Sequence, residues 1–470
     1  MNMMTRSSLG FGRALAIWGL MIISSGIIAI ATDPERKVTP GLAPAPPMGW
    51  NSFDAYWTVV TEQQVKATAD YLAKHLSPFG YKYVVIDGYW YYPHPEPGTE
   101  NKEESWEVAM DDHGRFLPAL NRFPSAAHGE GFKPLADYIH GKGLKFGIHI
   151  MRGIPRAAVE RNLPILGSSA RARDVALRYN TCRWSTAAFG ANVSQPAGQA
   201  YYESIVALYA QWGVDFIKAD DMSAGQNPAA ESYHAPEIAA LERAIQKAGR
   251  PIVLSLSPGP TDPFHAEEVK ESAQMWRISA DFWDDWKQLK DQFSRCRPWV
   301  AYIGSDHWPD LDMLPLGRIQ VQGYLDPPHQ TRFTAAEQRT VMTLWSIARS
   351  PLMIGGDLLS MDPATLALLT NDEVLAVDQN SAHNRELFAR GDAIAWAADI
   401  PGTDERYLAV FNLADGPPQA VDVSWNDLGL KEKCAVRDLW EKRNLGTVTN
   451  HFAPKLDAHG AGLYRIRPAR

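Results

Sequence analysis

From Pro40 to about Gly356, short apolar runs alternate with stretches of helical periodicity. Runs of strand length fall at 47–53, 81–87, 144–150, 214–220, 252–256, 275–279, 299–303 and 351–355. Between the first two, Thr61 and Gln64 have capping-box spacing, and Val65, Ala69, Leu72 and Leu76 follow on one helical face. Further helices are predicted over 132–140, stopping at Gly141, and over 199–212, 235–247 and 335–349. Strands apolar on both faces, alternating with helices, predict a parallel sheet with covered faces. Eight of them predict an α/β fold of the (β/α)8 TIM barrel type. A doubly wound sheet is the alternative, but no G-x-G-x-x-G follows any strand.

The texture changes after about Asn384. Short strands at 387–388, 394–398, 407–413, 420–424, 434–439 and 462–466, separated by turn residues, predict a C-terminal antiparallel β-sandwich. Two segments inside the barrel are long, 88–130 after the second strand and 151–196 after the third. Long loops in a compact domain are usually functional, and both leave the strand ends where barrel active sites form.

The N-terminus is read apart from the fold. Arg6 and Arg13 precede an uncharged apolar stretch from Ala14 to Ile30, and Ala29-Ile30-Ala31 has the small-x-small form of a cleavage site. Residues 1–31 therefore read as a secretory signal, with an uncleaved membrane anchor as the alternative, and the protein is expected to be exported. The barrel is assigned to 32–384 and the sandwich to 385–470.

Composition narrows the function. The formal net charge of −8 argues against nucleic acid as a partner. Cys182, Cys296 and Cys434 are far apart with no C-x-x-C, so at most one disulfide can form. Sixteen tryptophans are an unusual number, with two uses open: core packing, or flat apolar platforms for sugars. Trp50, Trp90 and Trp184 fall near the expected barrel mouth, Trp276, Trp286 and Trp308 flank acidic residues, and Trp345 and Trp396 read as core.

The candidate chemistry is carboxylate chemistry. Asp87 and Asp220 end predicted strands, Asp281 follows the sixth, and Asp310 and Asp312 follow the seventh. Several carboxylates converging at a barrel mouth give a site with staggered pKa values. No H-E-x-x-H, G-x-S-x-G or P-loop is present, and the histidines are scattered, so neither metal nor cofactor is expected. Glycoside hydrolysis is the commonest cofactor-free reaction run on paired carboxylates.

Several motifs now fall together. Pro46-Pro47-Met48-Gly49-Trp50-Asn51-Ser52-Phe53 resembles the opening strand of glycoside hydrolase family 27, the α-galactosidases and α-N-acetylgalactosaminidases. Gly114-Arg115-Phe116, Arg122–Ser125, Lys145–Ile148, Phe216–Asp220, Trp276–Trp286, His307–Leu314 and Ser350–Gly356 resemble later family motifs, in unbroken order over about 45–380. The resemblance implies a retaining exo-glycosidase acting on an oligosaccharide or polysaccharide with a terminal α-D-galactosyl residue. It implies Asp220 as nucleophile and Asp281 as acid/base. Phe53, Asp87, Gly88, His149, Lys218, Ser257, Arg277 and Asp312 are the implied sugar-binding positions. The adjacent Asp221 is a weaker nucleophile candidate, because neighbours on a strand face opposite ways.

Departures from the family pattern bear on the substrate. The usual pair of aspartates after the second strand is Asp87-Gly88 here, so one hydroxyl clamp is missing. Phe53 stands for a usual Trp, His149 for a Tyr, and Met222 for a Cys. Ser257 matches the N-acetylgalactosaminidases, while Pro258-Gly259-Pro260 matches neither subgroup. β-L-Arabinopyranose is α-D-galactose without C6 and would miss the absent clamp least, so β-L-arabinopyranosidase and α-N-acetylgalactosaminidase are the alternative activities. A sugar-binding protein on an inactive barrel is the alternative of a different class.

Overall fold

Eight parallel strands surround the site: β1 (Met48–Asn51), β2 (Tyr83–Ile86), β3 (Lys145–Met151), β4 (Phe216–Asp220), β5 (Val253–Leu256), β6 (Met275–Arg277), β7 (Trp308–Asp310) and β8 (Leu352–Ile354). From β1 to β7 each pairs in parallel with its neighbours in chain order, and β1 also pairs with β8, as in a TIM barrel. The last seam is irregular. Beyond β7 the chain bends through Leu311–Met313, and Leu314 then bridges Ile354, its N–H donating to Met353 O at 2.8 Å. The structure, a computed structural model, describes residues 40–96, 102, 106–223, 233–323 and 325–469. The expected signal segment, 1–31, lies outside these.

The two-residue period of a strand sorts the barrel interior into layers. Tyr83, Val85, Phe216, Val253, Met275, Trp308 and Met353 form one buried apolar cluster. Gly147 has a packing reason to be glycine: a Cβ there would lie 2.9 Å from Val85 Cγ2 and 3.0 Å from Phe216 Cβ. One or two steps along the same inward rows, the side chains become polar: Asn51, Asp87, His149, Lys218, Ser255, Arg277 and Asp310. The apolar layer thus makes the floor, and the polar layer above it faces the C-terminal mouth.

The outer helices follow their sequence signals. α1 (Glu62–His75) starts at the Thr61/Gln64 capping box, in which the Thr61 N–H donates to Gln64 Oε1 at 2.9 Å. It buries Val65, Ala69 and Leu72. The helices Lys133–His140, Pro196–Gln211, Ala235–Ala248 and Ala335–Ala348 stand where they were expected. One strand does not. The run at 299–303 was expected to be the seventh strand, but Arg297–Tyr302 is a 3-10 helix, and the strand is Trp308–Asp310. Pro298 at its start favours the helical turn, and the run caps the helix Trp286–Cys296 with a buried Trp299.

The C-terminal sheet contains β9 (Ala382–Arg390), β10 (Ala393–Asp399), β11 (Arg406–Asn412), β12 (Lys433–Asp438), β13 (Arg443–Thr449) and β14 (Ala461–Pro468), in the order 9-10-11-14-12-13, all antiparallel. Two short ladders, 419–420 with 455–456 and 423–424 with 451–452, form the second layer over a core that includes Leu408, Val410, Trp425, Val436 and Ile466. The sandwich meets the barrel through Phe293 against Phe411 and Trp286 stacked on His459 at 3.8 Å.

The tryptophans divide differently from the sequence expectation. Trp50, Trp90, Trp276 and Trp308 are fully buried, like Trp345 and Trp396. Four of these indoles donate Nε1–H to a backbone carbonyl: Trp50 to Gly356, Trp90 to His149, Trp308 to Ala43 and Trp345 to Asp312, at 2.8–2.9 Å. This is the partner a buried indole needs. All three cysteines are buried and free, so no disulfide forms among them.

Candidate active site

A cavity of about 290 Å³ opens at the C-terminal mouth of the barrel. Phe53, Asp87, Gly88, His149, Lys218, Asp220, Ser257, Asp281 and Asp312 all line it. The remaining expected residue, Arg277, lies beneath, where Nη1 pairs with Asp312 Oδ1 at 2.8 Å and Nη2 reaches Asp281 Oδ1 at 3.3 Å. Residues on β3, β4 and β6, and in the segments that follow β1, β2, β5, β6 and β7, therefore meet around one space.

One side is built on β2 and β4. Asp87 Oδ2 accepts from Lys218 Nζ at 2.8 Å and from Asn51 Nδ2 at 2.7 Å, and its Oδ1 accepts the Gly88 N–H. Burial opposes the charge on Asp87, but Lys218, His149 and the Gly88 N–H outweigh it and hold the carboxyl well below the usual range. Lys218 is held protonated in turn: Asp87, Asp220 and Asp312 overcome the burial penalty. Its ammonium also lies 5.5 Å from the centre of the Phe53 ring.

Asp220, at the end of β4, accepts at Oδ2 from His149 Nε2 at 3.3 Å, and Oδ1 accepts the Asp221 N–H at 3.0 Å. Burial raises its pKa, while the His149 contact and Lys218 lower it by more, so the net shift is downward. Its neighbour Asp221 has φ +60° and turns away from the cavity to a buried network, pairing with Arg152 at 2.7 Å. Across the cavity, Asp281 has a side chain 63% exposed, while that of Arg277 beneath it is 2% exposed. Burial pushes Asp312 upward, and Asp281 and Asp310 push the same way against Arg277. Oδ2 of Asp312 also accepts the Phe282 N–H at 2.8 Å.

This arrangement supplies a partly buried carboxylate held ionised and a second, more exposed carboxyl at the mouth, able to exchange protons with a leaving group or water. Among the described residues, no three His, Cys, Asp or Glu side chains are grouped to hold a metal ion.

Sequence reasoning missed part of the wall. Asp54, Trp57, Met151, Phe282, Trp283 and Met313 also line the cavity. Trp57 and Trp283 stack with centroids 6.5 Å apart, and Trp57 packs on Phe53 at 4.2 Å. With Trp184, which was expected at the mouth, they are the indoles that face the cavity. A signal existed for Trp57 and Trp283, since each lies within four residues of an expected site residue.

Comparison with known proteins finds relatives for both parts of the chain. Residues 186–380 match the family model described as alpha galactosidase A, and 390–466 match the alpha galactosidase C-terminal beta sandwich domain. An alpha-galactosidase of Coffea arabica is 29% identical over 91% of this chain and 95% of its own. The crystal structure of a family 27 β-L-arabinopyranosidase from Geobacillus stearothermophilus superposes with a TM-score of 0.87 at 48% identity, over 91% of this chain and 97% of that one. A Bacillus halodurans structure carrying the name α-N-acetylgalactosaminidase superposes with a TM-score of 0.81 at 44% identity, over 90% of this chain and 97% of that one. Identity approaching one half over 91% of the chain, with family models matching both barrel and sandwich, means that this chain is a glycosidase of glycoside hydrolase family 27.

Proposed function

We propose that the protein is an exported, retaining exo-glycosidase that removes terminal β-L-arabinopyranosyl units, with α-D-galactosides as slower substrates. The observation that carries the sugar assignment is Asp87-Gly88. Asp87 offers a carboxylate fixed by Lys218 and Asn51, and the next position offers no side chain at all. A pyranose with galactose configuration but no C6 loses nothing there. An α-D-galactoside still fits, because only His149 approaches the Gly88 position, with no atom nearer than 3.7 Å to a built Cβ. Identity supports the same order: 48% to the arabinopyranosidase against 29% to the coffee enzyme.

In this reading Asp220 attacks the anomeric carbon as Asp281 gives its proton to the departing glycosidic oxygen. Water, deprotonated by Asp281, then releases the sugar from Asp220 with net retention. The ionised state of Asp220 and the exposed position of Asp281 suit these two roles.

The test is a panel of 4-nitrophenyl β-L-arabinopyranoside, α-D-galactopyranoside and N-acetyl-α-D-galactosaminide, with product stereochemistry followed by NMR. The highest specificity constant is expected on the arabinopyranoside, with retention. A far higher constant on the galactoside sinks the sugar assignment, and inversion sinks the mechanism. A mature N-terminus at Thr32 in protein secreted by the native host is the expected sign of export.

A further inference from the structure

We propose that Asp54 works as an uncharged carboxylic acid in the wall of the sugar cavity, donating a hydrogen bond that positions a hydroxyl of the bound glycosyl unit. The role in sugar binding rests on the function proposed above; the protonation state does not.

Among the described residues, five carboxyls line the cavity: Asp54, Asp87, Asp220, Asp281 and Asp312. Two permanent cations serve them. Lys218 is bound to Asp87, and Arg277 to Asp312 and Asp281. Asp220 has His149 and the Asp221 N–H. Asp54 has no such partner. It is 2% exposed, and its Oδ2 is buried without any hydrogen-bond donor or acceptor.

Asp54 follows Phe53 in a single helical turn, Phe53–Tyr56, and its backbone carbonyl accepts the Gln320 N–H at 2.7 Å. Its carboxyl lies against Gly355, where a Cβ would sit 1.9 Å from Oδ2, so the glycine leaves the room that the carboxyl fills. A lone carboxylate without a donor is among the costliest groups to bury, and protonation removes that cost. Burial, then the charge of Asp312, with smaller pushes from Asp281 and Asp87, raises the Asp54 pKa well above the usual value; Lys218 offsets only part. The outcome is a hydrogen-bond donor in a wall otherwise rich in acceptors, suited to a sugar hydroxyl that must itself accept.

Two measurements test this. Infrared difference spectra of wild type against Asp54→Asn at neutral pH, without sugar, should show loss of one carbonyl band of a protonated acid. If the lost bands are those of a carboxylate, the proposal is overturned, whatever the substrate proves to be. On the preferred glycoside, Asp54→Ala should raise KM about tenfold, with a smaller change in kcat. Asp54→Asn, whose amide can still donate, should recover most of that loss. An Asn variant as impaired in KM as the Ala variant also overturns the proposal. Should the Ala variant fail to fold, the infrared comparison with Asn decides.

Discussion

Replacing Gly88 with Asp interrogates the sugar assignment from inside the pocket. Gly88 does not need the left-handed conformation, and a built Cβ meets only Cε1 and Nδ1 of His149, both at 3.7 Å, an ordinary van der Waals contact. The side chain therefore enters without displacing the wall. Its carboxylate stands beside Asp87, with the Lys218 ammonium 2.8 Å from Asp87 to moderate the added charge. A hydrogen bond to a charged acceptor contributes about 1.5–3 kcal/mol, and about 1.4 kcal/mol is tenfold in a rate or binding constant. An α-D-galactoside can make that bond through its 6-hydroxyl, so its kcat/KM should rise by about 10–100-fold. A β-L-arabinopyranoside cannot, and it leaves the new carboxylate buried without a partner, which costs about 1–3 kcal/mol. The ratio of the two specificity constants should thus move toward the galactoside from both sides. The assay is kcat/KM on the two 4-nitrophenyl glycosides at one pH, with thermal unfolding of both proteins in parallel. A folded variant whose ratio stays fixed, or moves toward the arabinopyranoside, refutes the placement of C6 beside Gly88.

Other changes act on separate parts of the site. Asp281→Ala should lower kcat by about 10²–10⁴-fold, as removal of a general acid does, with a larger loss on alkyl glycosides than on nitrophenyl ones; equal losses on both would remove Asp281 from leaving-group protonation. Arg277→Leu leaves the Asp312 carboxyl, 4% exposed, without its cation, and should destabilise the fold by about 3–5 kcal/mol, read by chemical denaturation. An unchanged midpoint would show that Asp312 does not need Arg277. The acid limb of kcat/KM should lie below the ordinary carboxylate range, because Asp220 is held ionised and loses activity only as pH falls through its lowered pKa. In His149→Phe that pKa rises, so the limb should move to higher pH; an unmoved limb would assign it to another group.

Much of the site could be read from strand periodicity. Once β2, β3 and β4 are placed, the two-residue repeat sends Asp87, His149, Lys218 and Asp220 inward, and pairing of His149 with Lys218 brings them together. What escaped was irregular backbone. Trp57, missed as a wall residue, has φ +50°, a conformation that no hydrophobic pattern announces. The seventh strand was misplaced because its three residues, Trp308–Asp310, include a proline, whereas 299–303 looks more like a strand. β13 was missed for a related reason. It is an edge strand, mostly exposed, with Gly446 at φ +92° and no alternation of apolar residues. The sugar-facing tryptophans were assigned by position in the chain, but burial depends on which way a side chain leaves the backbone. Trp50 and Trp90 turn out into the core, whereas Trp57 and Trp283 line the cavity.

Those outward-turned indoles bear on how such a pocket can diversify. Trp90 and Trp345 grip the carbonyl oxygens of His149 and Asp312 from behind. A main-chain oxygen is the same atom whatever side chain its residue carries. The grip is therefore indifferent to substitution on the sugar side, and position 149 can exchange its functional group while its Cα atom stays put. In this barrel, selectivity is written on side chains and position is held by the main chain, so a lineage could change its preferred sugar without rebuilding its scaffold.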